Sequence, residues 1–328
     1  MAVLVTGGAG YIGSHMVYAL SDRGEDVVVL DNLSTGFEWA ISPKAKLVVG
    51  DIGDMELAGR IIAEHGVDAI INFAGSIIVP ESVENPLKYY HNNTSNTRNL
   101  MEAAVKGKVA HFIFSSTAAV YGIPEVNPAF EDARLDPINP YGRSKLMTEW
   151  MLQDVTKAHP MTYVALRYFN VAGADPQGRT GQSTPQATHL IKVAAQTALG
   201  QRKEMYVFGS DYDTPDGTCI RDYIHVTDLV AAHLDALDHL RKGGESAVFN
   251  CGYGKGYSVL EVIDAVRRAA GHDFPVVMSG RRAGDPPALV AGADKIRKEL
   301  GWQPEHADLD EIVQAAYAWE EHLMSRNG

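Results

Sequence analysis

The strongest constraint on this chain lies in its first thirteen residues. Ala2–Thr6 is a short apolar, β-prone run, and glycines follow at positions 7, 10 and 13. A strand that meets glycines at this spacing has to turn sharply and enter a helix packed close against it. Further strands are predicted at Asp26–Leu30, Leu47–Val49, Ala69–Asn72, His111–Ser115, Thr162–Arg167 and Ala247–Asn250. Helices are predicted at Tyr11–Asp22, Met55–Glu64, Leu87–Val105, Pro140–Ala158 and Val226–Leu240. Several strands are apolar on successive residues, as strands covered on both faces should be. Alternating strands and helices imply an α/β fold of the Rossmann type, a doubly wound parallel sheet with right-handed crossovers.

After Asn170 the pattern loosens. Gly173–Pro185 reads as a loop, followed by a helix at His189–Leu199, short strands, and helices at Val259–Ala270, Lys295–Leu300 and Leu309–His322. A second, smaller mixed α/β domain is therefore expected, with the chain returning once to the first. The expected division is 1–169 and 226–252 for the sheet domain, and 170–225 and 253–328 for the smaller one.

The glycine turn also predicts a ligand. Gly7 permits the tight turn, Gly10 lets backbone amides approach a pyrophosphate, and Gly13 lets the helix pack on the strand. Tyr11 and Ile12 lie between the last two glycines. Phosphates then rest on the positive end of the helix dipole. Asp31 closes the second strand, where a carboxylate accepts hydrogen bonds from adenine-ribose hydroxyls and repels a 2′-phosphate, so NAD is expected over NADP. Asp51 and Ile52 end the third strand and suit an adenine edge. Phe73, Ala74 and Gly75 follow the fourth, where they can pass beneath phosphate and ribose.

Tyr141-Gly-Arg-Ser-Lys145 opens a predicted helix, which places Tyr141 and Lys145 on one face. Thr117 stands just beyond the fifth strand, at the sheet edge where ligands of such folds bind. Tyr-x-x-x-Lys alone is common by chance; beside Ser-Ser-Thr at a strand end it points to catalysis. A free tyrosine titrates near 10, and lowering it by about three units takes on the order of 4 kcal/mol of phenolate stabilisation. The Lys145 ammonium and a positive nicotinamide are the expected sources. Tyr141 then removes a carbinol proton as hydride leaves for NAD, with Thr117 donating a hydrogen bond.

The chain resembles the UDP-glucose 4-epimerases of the extended short-chain dehydrogenase/reductase superfamily nearly end to end. The stretches that carry the resemblance include TGGAGYIGSH, FSSTAAVYG, NPYGRSK, LRYFNVAGAD, RDYIHVTDL and RRAGDPPALVA. The resemblance implies Tyr141, Lys145 and Thr117 as catalytic residues. It adds Asn32, Asn92 and Tyr168 to the NAD site. Asn170, Arg221 and Arg282 are implied at the UDP phosphates, Phe208 near uracil and Asp285 at the uridine ribose. His189 stands where an asparagine commonly contacts the phosphates, with Leu190 beside it, and Ile77 stands where several relatives carry lysine. Leu289 occupies a pocket-wall position where a bulky residue is associated with exclusion of N-acetylated sugars, so UDP-N-acetylglucosamine or a pentose nucleotide enters the expected substrate range. The resemblance also implies a homodimer through Leu87–Val105 and Pro140–Ala158, although their apolar faces suit an internal core equally well.

Neighbouring chemistries fit less well. Dehydratases and decarboxylases of the superfamily need a further acid at this strand end, where Thr117 is followed by Ala118 and Ala119. A reductase using NADPH prefers a basic residue where Asp31 stands. A non-catalytic sensor has little use for Tyr141, Lys145 and Thr117 together. The net charge of −12, with no basic run, argues against nucleic acid. No apolar stretch approaches the roughly 18 residues of a membrane span, and no signal peptide is read at the N-terminus. His225, His233 and His239 are expected to be solvated or capping, with no metal site. Cys219 and Cys251 read as ordinary semi-buried thiols in a reducing cytosol.

Overall fold

Alternate residues of the first strand, Ala2–Thr6 (β1), feed different cores. Val3 and Val5 belong to one cluster, Ala2 and Leu4 to another. Val27/Val29 and Val28/Leu30 divide in the same way in β2 (Asp26–Asp31), so this sheet is covered on both faces. The computed structural model describes residues 1–185, 187–282 and 285–327.

Between β1 and β2 runs α1 (Tyr11–Asp22). There follow β3 (Lys46–Val49), α2 (Met55–His65), β4 (Val67–Asn72), α3 (Val79–Glu84), α4 (Pro86–Tyr89), α5 (Asn96–Lys106), β5 (His111–Thr117), α6 (Pro140–Ala158) and β6 (Thr162–Tyr168). The rest comprises β7 (Asn170–Ala172), α7 (Leu190–Ala198), β8 (Met205–Phe208), β9 (Ile220–His225), α8 (Val226–Arg241), β10 (Ala247–Cys251), β11 (Gly256–Ser258), α9 (Val259–Ala270), β12 (Val276–Ser279), β13 (Ala288–Leu289), α10 (Asp294–Leu300) and α11 (Leu309–Asn327).

Seven strands form the main sheet in the order β10-β6-β5-β4-β1-β2-β3, every pair parallel. The doubly wound α/β architecture expected from the sequence is present. Strand order reverses at β1, and in such sheets the crevice outside the carboxyl ends at that point takes the ligand. A second sheet joins β11, β9 and β13, with β7 beside β9, and β8 pairs with β12. β10 joins the main sheet only after β7, α7, β8 and β9 have left it, and β11, β12 and β13 complete the smaller layers later still.

One helix differs from expectation. Leu87–Val105 is not continuous: α4 gives way to a π-helical turn at Tyr90–Ser95 before α5 begins. Side-chain bonding inside that turn accounts for the break. Asn93 holds the backbone of Ser76 on both sides, at 2.7 and 3.0 Å, and also donates to Ser144 Oγ at 3.0 Å. An inward amide of this kind distorts the i→i−4 ladder.

The histidines differ as well. His225 caps α8 by accepting from the Thr227 amide at 3.1 Å, and His239 lies 3.0 Å from the Glu245 carbonyl. His233 is neither solvated nor a cap. It is fully buried, with Nδ1 on the Leu229 carbonyl, Nε2 unpartnered and its ring against Phe73 and Tyr168. It packs into the apolar layer between α8 and the sheet. Both cysteines are free and fully buried rather than semi-buried, Cys251 within β10 and Cys219 just before β9.

Candidate active site

Because the strands are parallel, their carboxyl ends share one edge, and the predicted cofactor residues gather there. Gly7 has φ +69°, and a Cβ on it would lie 2.6 Å from the Ala74 amide. A Cβ on Gly13 would lie 2.1 Å from the Gly7 carbonyl. Both positions exclude any side chain, so the turn presses directly on the loop after β4. Gly10 is the N-cap of α1 and has no side-chain cap, while Tyr11 and Ile12 form the first turn. The Tyr11 hydroxyl donates to the Gly173 carbonyl at 2.7 Å, tying the turn to the segment after β7.

Asp31 accepts from the amides of Ala9 at 2.9 Å and Leu33 at 2.8 Å. Its carboxylate therefore also shapes the glycine turn, a structural task that spacing did not reveal. Asn32 donates to Asp51 at 3.0 Å, and Asn96 donates to the other oxygen of Asp51 at the same distance. Ile52 is buried beneath them. Phe73 and Ala74 follow β4, and Asn92 bonds Ser76 Oγ at 2.9 Å. A Cβ on Gly75 would sit 3.5 Å from Lys145 Nζ, so the cofactor and catalytic sets are contiguous.

α6 begins at this junction. Asn139 accepts from the Gly142 amide at 2.8 Å and Pro140 occupies the first turn, a strong start signal. The start places Tyr141 at the helix tip and Lys145 one turn in. Lys145 is 3% exposed, donates to the Ser115 carbonyl at 2.9 Å and lies over the Phe114 ring. Tyr168 reaches the same residue through Ser115 Oγ. Burial lowers Lys145 to about 8 and raises Tyr141 above its ordinary value, with a hydrogen bond from Thr117 opposing the rise. Within the chain alone, desolvation is the larger influence on the Tyr141 phenol and the Thr117 hydroxyl opposes it.

The substrate residues predicted across the smaller sheets form a second cluster. Arg221 in β9 stands in register with Leu289 in β13. Asp285 lies between two arginines, 3.9 Å from Arg221 and 3.0 Å from Arg282. The Arg282 guanidinium covers the Phe208 ring at 4.8 Å. Arg282 is 47% exposed yet paired, which is not how a freely solvated arginine behaves. Asn170 in β7 stands in register with Tyr223 in β9. His189 stands apart: it caps α7 ahead of Leu190, with Nδ1 2.8 Å from Gln182 Nε2, and does not join the arginines. Ile77 is exposed. Ala283 and Gly284 of the RRAGDP stretch lie outside the described residues.

Sequence reasoning passed over Ser115, Asn93 and Ser144, which hold the catalytic helix to its neighbours. The only advance signal was the pair of serines before Thr117. Among the described residues no group of His, Cys, Asp and Glu side chains could hold a metal, and no helix is long and apolar enough to cross a membrane.

Residues 3–252 match the NAD dependent epimerase/dehydratase family. A UDP-glucose 4-epimerase of Azospirillum brasilense is 59% identical over 326 residues, spanning 99% of this chain and 94% of its own. The solved UDP-glucose 4-epimerase of Bifidobacterium longum, in complex with NAD+ and UDP, is 42% identical with a TM-score of 0.93 over 98% of both chains. The UDP-Glc/GlcNAc 4-epimerase of Campylobacter jejuni is 50% identical, with a TM-score of 0.86 over 98% of this chain and 99% of that one. A glycine turn, a Tyr–Lys pair on one face of α6 and likeness of this extent lead to one conclusion: the chain belongs to the NAD-dependent epimerase/dehydratase family.

Proposed function

We propose that this protein is a UDP-glucose 4-epimerase, an NAD-dependent isomerase that interconverts UDP-galactose and UDP-glucose. The observation that carries the reading is the convergence of Tyr141, Lys145 and Thr117 at the carboxyl end of β5, contiguous with the glycine turn. That turn fits a dinucleotide, because Gly7 and Gly13 leave no room for side chains and the start of α1 has no side-chain cap on its amides. Asp31, Asn32, Asp51, Ile52, Phe73, Ala74, Gly75, Asn92 and Tyr168 complete the proposed NAD site.

When bound, NAD supplies a reversible acceptor for the sugar C4 hydride and a positive ring charge that favours phenolate. Tyr141 takes the C4 hydroxyl proton and later returns it, while Thr117 hydrogen-bonds the phenol and orients the hydroxyl. Lys145, anchored on Ser115, keeps a cation at the helix face. Arg221, Arg282 and Asn170 grip the UDP phosphates, and bidentate guanidinium geometry suits that task. Phe208 offers a face to uracil, and Asp285 a carboxylate to the ribose. His189 and Leu190, implied at the phosphates by resemblance, begin α7 apart from the arginines, with His189 bonded to Gln182. A tether at the nucleotide end lets the 4-keto sugar turn over and take the hydride back on its opposite face.

The domain division 1–169 with 226–252, and 170–225 with 253–328, follows this split between cofactor and substrate. Leu289, opposite Arg221 and smaller than tyrosine, supports turnover of UDP-N-acetylglucosamine and UDP-N-acetylgalactosamine as well. The dual-substrate name of the Campylobacter relative favours this second activity. Trp150, 52% exposed, and Met147 lie on the outer face of α6 and support a homodimer built there. Two unpaired thiols suit a cytoplasmic, reducing compartment.

Purified protein is incubated with UDP-galactose without added NAD, and UDP-glucose is followed by chromatography, with UDP-N-acetylgalactosamine and UDP-xylose alongside. Turnover that Tyr141→Phe abolishes supports the reading. No turnover of UDP-galactose, even with NAD supplied, refutes it.

A further inference from the structure

Three residues of α6 spaced by four meet three consecutive residues of β5. Tyr141 lies beside Thr117, Lys145 donates to the Ser115 carbonyl at 2.9 Å, and Glu149 accepts from Ser116 Oγ at 2.5 Å. The first two belong to the proposed chemistry. Glu149 has had no part in it.

Glu149 is 1% exposed and pairs with Arg167, which is 4% exposed. The contact is bidentate, Nε to Oε1 at 3.0 Å and Nη2 to Oε2 at 2.6 Å. Arg167 Nη1 also donates to the Tyr121 hydroxyl at 3.0 Å and the Glu131 carbonyl at 3.3 Å. Tyr121 donates to Asn250 at 2.6 Å, and Asn250 donates to the carbonyls of Ala129 at 2.8 Å and Gly292 at 3.2 Å. Desolvating two ions costs about as much as their attraction returns, so stability is a weak account of a pair placed this deep. Geometry is a stronger one: bidentate, and held further by Ser116 on the carboxylate and by Tyr121 and the Glu131 carbonyl on the guanidinium, the pair constrains the spacing between α6 and β6.

We infer that Glu149 and Arg167 are positioning residues that set the depth of α6 against β5 and β6, and so the place of Tyr141 and Lys145 beside Thr117. Ser116 fixes the register by bonding Glu149 from the middle of the serine–threonine run. Through Asn250 the same network reaches Gly292, three residues beyond Leu289, so the catalytic helix and the substrate-side strand share one anchor.

This inference rests on the epimerase reading, and the experiment separates the two. Wild-type protein, Glu149→Gln and Ser116→Ala are assayed with UDP-galactose at a temperature well below the melting point of each, per mole of bound NAD. Glutamine keeps the shape but turns an amide donor toward the guanidinium. A displacement of about 1 Å at the reacting groups costs on the order of 10²-fold, so kcat is expected to fall at least about tenfold in Glu149→Gln, with KM within about threefold. Ser116→Ala, which removes one bond and tolerates folding better, is expected to lose about threefold in kcat at unchanged KM. Unchanged kcat in the folded variants, whatever happens to melting temperature or KM, overturns the inference. If Glu149→Gln does not fold, Ser116→Ala alone decides it. An inactive wild type breaks the functional reading instead.

Discussion

The cofactor side and the substrate side of this molecule are built in opposite ways. Around the glycine turn, contacts are short, backbone-rich and closed: Gly13 abuts the Gly7 carbonyl, Asp31 is held by two amides, and Lys145 is almost wholly buried. Around Arg221 and Arg282, the groups are charged, partly exposed and paired with one another through Asp285. A preorganised cradle suits a ligand that stays, because ordering has been done in folding. A cluster whose charges satisfy each other suits one that comes and goes, since Asp285 keeps both guanidiniums paired in the free protein.

Acid gives the largest effect, and it reaches both sides, because burial also lowers His189 at the start of α7 to about 4. Burial lowers His15, His225 and His233 to about 4, and all three sit in or at the start of α1 and α8, which pack on each other beside the large sheet. Unfolded imidazoles bind a proton near 6.5, so between pH 6.5 and 4 the unfolded state holds more protons and stability falls as pH drops. The loss approaches on the order of 3 kcal/mol per histidine by pH 4. Urea unfolding followed from pH 7 to 4.5 should show it, and a flat profile would contradict the burial of these rings.

Tyr141→Phe should cost about 10²–10⁴-fold in kcat while KM for UDP-galactose holds, because one proton-transfer group is lost and no binding group. Steady-state rates check this, and a KM effect instead would move Tyr141 to the substrate side of the comparison. Arg221→Met should do the reverse. Losing charged hydrogen bonds of about 1.5–3 kcal/mol raises KM roughly 10–100-fold, with a smaller change in kcat and no loss of retained NAD. Loss of NAD in that variant would erase the division between the two sides. The smallest effects come from two glycines. Gly59 in α2 faces open space, and Gly59→Ala should stabilise by about 0.4–1 kcal/mol in thermal melts. Gly13→Ala should instead destabilise by about 1–3 kcal/mol and release NAD.

Legibility in the sequence follows the same division. The cofactor side is local: a strand, three glycines and an aspartate at the end of the next strand lie within thirty-one residues, and each has a backbone reason that composition displays. Tyr141 and Lys145 were singled out by their spacing together with the Ser-Ser-Thr at the end of the preceding strand, since four residues on a helix define a face. The substrate side was reached through resemblance, because Phe208, Arg221, Arg282 and Asp285 meet only after three strands from distant parts of the chain have packed. Two features stayed hidden for physical reasons. Side-chain amides turned inward at Asn93 produce the π-helical turn, and nothing in local periodicity reports which way an amide points. The burial of His233 depends on Phe73 and Tyr168 arriving from other strands, so a helix read by itself could not distinguish it from a surface imidazole.

The late arrival of β10 has a consequence for synthesis. β6 is complete at Tyr168, but its outer edge pairs with nothing until Ala247–Cys251 is added. An unpaired edge of a parallel sheet is a template for any extended strand that meets it. The nascent chain must therefore leave that edge open while roughly 80 further residues emerge, ~4–16 s at ~5–20 residues/s on the ribosome. Throughout that interval the half-built sheet carries an open edge to which another extended chain can add.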